Sequence, residues 1–422
     1  MRSIFITIIT LVCIIAKVNA QSINVTVHTN GESHEETIDL PEGMISEVDS
    51  LLDNWYSKNY IIQGGDCQMS NVNPSFCDSV FIDRLSRIPS VMEMPYNDIV
   101  RKFIDLYSGK LRKLVSFMLG AANFYMPIFE EALDVYDIPQ ELKYLPIIES
   151  ALKPNAVSHA GASGLWQFMI GTGKIYGLES NSLIDERRDP IKSTWAAARY
   201  LKDLYTIYQD WNLVIAAYNC GPGNINKAIR RAGGEKDYWS IYNFLPKETR
   251  GYVPAFIAAN YIMTYYCDHN ICPMQTTIPE NTDTIQVHKD LHFEQISDIC
   301  GINAEQIRSL NPQYKKDIVP GSSKSCILRL PRNYVSTFID SQDTIYNHRA
   351  TELFGKRKTV SVKEEAVTSR ASSSGATYHK IRKGETLSTI ARKYGVSVNE
   401  IKRWNKLRGN TIAAGKRLRI YR

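Results

Sequence analysis

Glu149 is the side chain in this sequence best placed for acid–base chemistry. It closes the apolar run Leu145-Pro146-Ile147-Ile148 and is followed by Ser150 and a loop rich in Gly, Ser, Asn and His. A carboxyl near the C-terminal end of an apolar helix meets the negative end of the helix dipole and a nonpolar wall, and both favour the neutral acid. A carboxyl that keeps its proton near neutral pH can act as a general acid. Taken alone, Glu149 reads more readily as a cap or half of a salt bridge. Two later stretches shift that balance. Ala216-Ala217-Tyr218-Asn219-Cys220-Gly221-Pro222-Gly223 ends an apolar helix in a Gly-rich turn where a ligand can approach the backbone, and Glu248-Thr249-Arg250-Gly251-Tyr252-Val253-Pro254 opens a further helix with one more phenol. His159 and Ser163 invite comparison with a hydrolase triad, but Gly161-Ala162-Ser163-Gly164 is not a nucleophile elbow and no partner acid is placed.

The elements that must position these groups are helical. Ile99, Phe103, Ile104 and Tyr107 recur at helical spacing, as do Leu114, Phe117, Met118 and Ala121. Pro139 sits where it would open a helix, with Leu142, Leu145 and Ile148 apolar behind it. Further helices are expected from Gly164 to about Tyr176, Ser193 to Tyr208, Trp211 to Tyr218 and Tyr252 to Tyr266. Glu141 reads as a first-turn charge, and Asp185, Glu186, Arg187 and Asp189 as a solvated loop and helix start; Trp166 and Trp195 read as core residues. Residues 21–94 show no sustained period and read as an irregular extension. A small unit occurs twice after the helical region: Leu387, Ile390, Gly395, Ile401 and Asn405 fall on Phe293, Ile296, Gly301, Ile307 and Asn311. The Ser-rich stretch before the second copy reads as a linker.

In this order, Glu149-Ser150, Gly164-Leu165-Trp166-Gln167, Ala217-Tyr218-Asn219-Cys220-Gly221 and Tyr252 resemble the successive motifs of the soluble-type lytic transglycosylases of the goose-lysozyme-like superfamily. Trp166 departs from the Met of several branches but keeps an apolar wall residue. The segment from Tyr378 through Asn405 resembles a LysM domain. The resemblance implies a mainly α, lysozyme-like catalytic domain at 95–275 plus small α+β (βααβ) LysM modules, a degenerate one at 284–332 and a second at 378–422, joined by a linker over 333–377. It implies cleavage of the bond between N-acetylmuramic acid and N-acetylglucosamine in peptidoglycan without water as nucleophile. Glu149 would serve as acid and then base, with Ser150 and Tyr252 orienting it or the substrate. Gln167 and Asn219 would hold acetamido or hydroxyl groups, since amides both donate and accept, and Tyr218 would stack on or bond a sugar. Ordinary glycosidases use two carboxylates, and no second one lies within the motif set. For the LysM modules it implies glycan binding between Gly384, Glu385 and Thr386 on one loop and Leu407 to Ile412, including Asn410 and Ile412, on the other. Asp290 and His292 replace Gly384 and Thr386 in the first copy, which is therefore expected to bind weakly or only to pack.

The first 20 residues carry Arg2, an apolar core from Ile4 to Ala16 and a small-residue close at Val18-Asn19-Ala20, so they read as an export signal shorter than a membrane span. Lipidation at Cys13 is disfavoured, because Val12 is not the small residue expected before it. Export to a periplasm or cell envelope permits disulfides. Close spacing suggests Cys67–Cys77, Cys267–Cys272 and Cys300–Cys326, with Cys220 free. The competing metal reading of Cys267, His269 and Cys272 lacks a fourth ligand. No metal, organic cofactor, nucleic acid or stable membrane span is expected as a partner; peptidoglycan glycan strands are. Lys and Arg number 50 against 44 Asp and Glu, and residues 356–422 alone carry 18 basic against 4 acidic groups. That basic tail on an acidic body suits an anionic cell-envelope polymer. The alternatives are a hydrolytic muramidase, which needs a second positioned acid, and a noncatalytic peptidoglycan binder.

Overall fold

The computed structural model describes residues 22–29, 32–45, 70, 72–274 and 281–355, and part of 377–420. The export signal, Cys67 and the Ser-rich stretch from 356 to 376 lie outside the described residues. Two compact units divide the chain at 365/366.

The N-terminal residues are not irregular. Strands β1 (Ser22–Thr29) and β2 (Glu32–Asp39) pair antiparallel with Ile23 opposite Ile38, and a short helix α1 (Glu42–Ile45) follows. Val25, Val27 and Ile38 are buried in the main core. Period-two alternation exists in β1 at Ile23, Val25 and Val27, but β2 is polar apart from Ile38, which hides the pattern.

The helical region follows as α2 (Asp78–Arg87), α3 (Asp98–Ser108), α4 (Arg112–Val135), a 3₁₀ turn (Gln140–Tyr144), α5 (Leu145–Ser150), α6 (Ile170–Ile175), α7 (Pro190–Tyr208), α8 (Trp211–Cys220), α9 (Pro222–Arg231), α10 (Tyr238–Ile241), α11 (Lys247–Arg250) and α12 (Tyr252–Tyr265). Local chemistry sets their starts. Asn97 accepts from the N–H groups of Ile99 and Val100, Asp189 from those of Ile191 and Lys192, and Asp210 from that of Leu213. Helix α12 is apolar around its whole circumference and buried from Tyr252 to Met263, as a central core helix must be. It packs on α3, α5 and α8. The helix expected from Gly164 begins only at Ile170, because Gly164 (φ 90°) and Gln167 (φ 47°) are left-handed.

Glu141 is a first-turn charge, as expected, but a buried one whose Oε1 accepts from the backbone N–H of Val91 and Met92, at 2.7 and 2.8 Å. The expectation of solvated charge at Asp185 and Arg187 is overturned. Asp185 and Arg187 form a buried two-pronged ion pair, Nε to Oδ1 and Nη2 to Oδ2 both at 2.8 Å. A charge pattern in sequence does not reveal whether tertiary neighbours supply the compensating partner that makes burial tolerable.

The first repeat comprises β3 (Thr282–Val287), β4 (Asp290–His292), α13 (Phe293–Cys300), α14 (Ala304–Leu310), β5 (Ile318–Pro320) and β6 (Cys326–Pro331), with β3 paired to β6 and β4 to β5. The segment expected to begin a linker at 333 instead adds α15 (Val335–Asp340), α16 (Gln342–Asn347) and α17 (Ala350–Phe354), and Phe338 and Ile345 are buried in the repeat's core. His292 is the N-cap of α13 in a reciprocal capping box with Gln295. In the second repeat β7 (Thr377–Lys380) pairs with β8 (Arg417–Ile420), and Leu387, Ile390 and Ile401 share its core. Asn311 and Asn405 do the same work: each side chain bonds the carbonyl four residues back, and both the N–H and the carbonyl of the closing strand, Arg329 in one case and Arg419 in the other.

The three expected disulfides do not form. Cys77, Cys267, Cys300 and Cys326 are free thiols, as is Cys220, whereas Cys272 is disulfide-bonded. Short sequence separation did not bring the paired sulfurs together. His269 is no ligand either: its two ring nitrogens face Tyr261 Oη and Asn73 Oδ1, and burial pushes its pKa down to about 4, which keeps the ring neutral.

Removing one member of the buried Asp185–Arg187 pair leaves an uncompensated charge. Asp185→Ala is expected to lower the unfolding free energy by about 3–5 kcal/mol, read by denaturant titration.

Candidate active site

Helix α5 ends at Ser150 because Ala151 and Leu152 turn left-handed, at φ 50° and 59°, which leaves Glu149 in the last turn. It faces a cleft of about 750 Å³, a volume in the usual range for ligand sites. Lining it are Asp39, Glu42, Gln167, Tyr218, Asn219, Glu248 and Tyr252, with His159, Phe168 and Tyr200 beside them. The Tyr252 hydroxyl donates a hydrogen bond to Glu149 Oε1.

Burial is the main reason that the Glu149 pKa rises to about 8; the Tyr252 bond opposes that rise and the charge of Glu42 adds to it. Burial likewise lifts the Tyr218 and Tyr252 phenols well above their ordinary range, and the nearby Glu149 charge adds to both. The free site therefore holds a neutral acid and neutral phenols near pH 7.

Part of the cleft wall is the 161–168 turn. Gly164 admits no side chain, since a Cβ there would lie 1.8 Å from the carbonyl oxygen of Arg187. Arg187 Nη1 donates to the carbonyls of Gly161 and Phe168, at 2.9 and 3.0 Å, so the buried Asp185–Arg187 pair holds the turn. The turn in turn fixes the acid's surroundings. Ser150 Oγ donates to Leu165 O at 2.9 Å, and Tyr218 Oη to Trp166 O at 2.7 Å. Trp166 itself is fully buried and donates to Thr194 Oγ1.

The structure thus brings five of the six residues singled out around the catalytic step to the cleft: Glu149, Gln167, Tyr218, Asn219 and Tyr252. Ser150 is not among them; it is buried and ties α5 to the turn. Gln167 spends its amide N–H on Gly164 O, at 2.7 Å, and Asn219 Oδ1 accepts from Thr249 Oγ1, at 2.9 Å. Ser163 is buried and accepts from Arg188 Nε, which removes it from any triad. Sequence reasoning missed Glu42, Ser158 and Thr172. The first lies more than 100 residues before Glu149, in a stretch with no recognised motif.

Of the residues singled out for glycan binding in the second repeat, Gly384, Asn410 and Ile412 lie outside the described residues. Glu385 Oε2 pairs with His379 Nε2 at 2.8 Å, and the Thr386 carbonyl accepts from the N–H of Ile390.

Comparison with known proteins yields three family matches: the Transglycosylase SLT domain over residues 126–241, the LysM-like domain of lytic transglycosylase MltD over 281–347, and the LysM domain over 379–420. The chain is 30% identical over 333 residues to membrane-bound lytic murein transglycosylase D of Escherichia coli (strain K12), covering 78% of this chain and 70% of that protein. The soluble lytic murein transglycosylase of the same organism is 30% identical over 151 residues, 34% of this chain and 23% of that one. Among solved structures, the 70 kDa soluble lytic transglycosylase of Escherichia coli aligns at 29% identity and a TM-score of 0.30, over 35% of this chain and a quarter of that one.

The raised pKa of Glu149 has a consequence for stability. Its neutral form is favoured by folding, so that contribution is complete below the ordinary value of 4.5 and is lost as pH rises through about 8. Glu149→Gln, which cannot ionise, is expected to raise Tm by a few degrees at pH 7 and to leave it unchanged near pH 4, checked by calorimetry at both values.

Proposed function

Because the chain belongs to the lytic murein transglycosylase D family, a family of peptidoglycan lytic transglycosylases, we propose a specific course for its reaction on glycan strands. The observation that carries it is the desolvated Glu149 carboxyl bonded to Tyr252 inside the cleft. Glu149 starts neutral and gives its proton to the glycosidic oxygen between N-acetylmuramic acid and N-acetylglucosamine. The resulting carboxylate is stabilised by the Tyr252 hydroxyl and takes the proton of the muramyl 6-hydroxyl as that oxygen closes on C1. The product end is a 1,6-anhydromuramyl residue, and no water is consumed. Tyr218, held by the Trp166 carbonyl, and Gln167 and Asn219 border the space the sugars would fill.

The second reading, hydrolysis, has one observation in its favour: Glu42 and Glu248 line the same cleft and supply the second acid a muramidase would require. The fate of the muramyl end separates the two.

The LysM domain at 379–420 would hold N-acetylglucosamine-containing glycan through the loops bearing Gly384, Glu385, Thr386, Asn410 and Ile412, raising the local substrate concentration without altering the chemical step. The first copy would act as a packing element, since its Tyr314 and Lys315 are bound to the catalytic region. No helix among the described residues is long and apolar enough to cross a membrane. The export signal would place the enzyme in the periplasm or cell envelope, where its substrate is.

Mass spectrometry of the fragments released from purified peptidoglycan is expected to show anhydro-muropeptides, and none with Glu149→Gln; hydrated ends would mean a muramidase, and binding without release a noncatalytic protein. The rate constant kcat/KM is expected to be flat below neutral pH and to fall about tenfold per unit above roughly pH 8, because the acid form of Glu149 is required.

A further inference from the structure

The N-terminal hairpin and α1 precede the stretch matched by the transglycosylase domain, yet they form a wall of the cleft through Asp39, Leu40, Pro41, Glu42 and Ile45. Two contacts with no room for a side chain fix this wall. A Cβ on Gly43 would lie 2.6 Å from both the Ile147 and Ile148 carbonyl oxygens, on the helix that carries Glu149. A Cβ on Gly251, the residue before Tyr252, would lie 2.6 Å from Ile38 Cγ2. The largely buried Arg250–Glu36 ion pair closes the same side. One segment therefore touches both elements that supply the Glu149–Tyr252 hydrogen bond.

Building on the transglycosylase reading, we propose that this segment belongs to the catalytic machinery and that Glu42 is a positioning residue acting through Glu149, its negative charge at the cleft wall keeping the general acid protonated. Tyr252 on α12, Tyr218 on α8 and Glu42 on α1 share the cleft with Glu149, and so do Asp39, His159 and Glu248. Tyr252 favours the carboxylate and Glu42 disfavours it. Burial raises the pKa of Glu42 itself, and Glu248 adds to that rise, while the Ser158 hydroxyl and the His159 main chain and ring oppose it and favour the ionised form. Like charges sharing a cleft push the more buried one toward its neutral state.

The test is the pH dependence of kcat/KM for the mature chain on purified peptidoglycan, with Glu42→Gln, Glu42→Lys and Glu42→Asp in parallel. The alkaline limb is expected to move to lower pH by about one unit in Glu42→Gln at low salt and further in Glu42→Lys, and to stay in place in Glu42→Asp. Raising salt to about 1 M should shrink the displacement and draw the wild-type limb itself downward. Superimposed limbs in all variants, a uniform loss of rate with no displacement, or a wild-type limb indifferent to salt would each overturn the proposal. The identity of the muramyl ends is read in the same digests, so hydrated ends would defeat the transglycosylase reading while leaving the Glu42 displacement separately decided.

Discussion

A half-buried carboxyl kept in its neutral form is the constraint on which the cleft depends. Glu149 can give up a proton near neutral pH only while its charged form is penalised, and the penalty comes from burial among tyrosines and the apolar wall of α5. The single hydrogen bond from Tyr252 then has a dual consequence. It lowers the penalty somewhat, and in the proposed reaction it is the donor that meets the carboxylate left by proton transfer.

That geometry is supported from outside the cleft. The Asp185–Arg187 pair has no contact with the acid, yet it pins the 161–168 turn whose carbonyls receive Ser150 and Tyr218. The first repeat is fastened to the same strip of chain. Asp185 N–H donates to Gln313 O, Lys315 N–H to Leu183 O, and Lys324 pairs with Glu179 and Glu186. Leu183 and Ile184 even belong to the repeat's hydrophobic core. The module has thus become part of the catalytic body, and its helix-to-strand loop is engaged by the chain itself.

The two repeats show how one framework is kept in different surroundings. Asn311 and Asn405 bind their closing strands in the same way, so the fold is kept in both. What differs lies at the loops: His292 caps a helix in the first copy, and the added helices α15 and α16 bury Phe338 and Ile345 against it.

Helical periodicity, the order of the motifs, Glu149 at the end of an apolar run and the doubled unit were legible in the sequence because each depends on spacing within one element or on a local run of residues. The Ser150, Glu141 and Asp185–Arg187 assignments were not, since a polar side chain's role is decided by partners 15, 50 or more residues away or by the walls folded around it. The cysteine pairings failed for the same reason: separation in sequence says little about where sulfurs meet. Above all, the sequence by itself placed Glu149 at the end of an apolar helix, while only the tertiary structure decided its environment. The hairpin at the chain's start touches the helices bearing Glu149 and Tyr252 and adds Glu42 to their cleft, a juxtaposition that arises from packing and leaves no periodic trace.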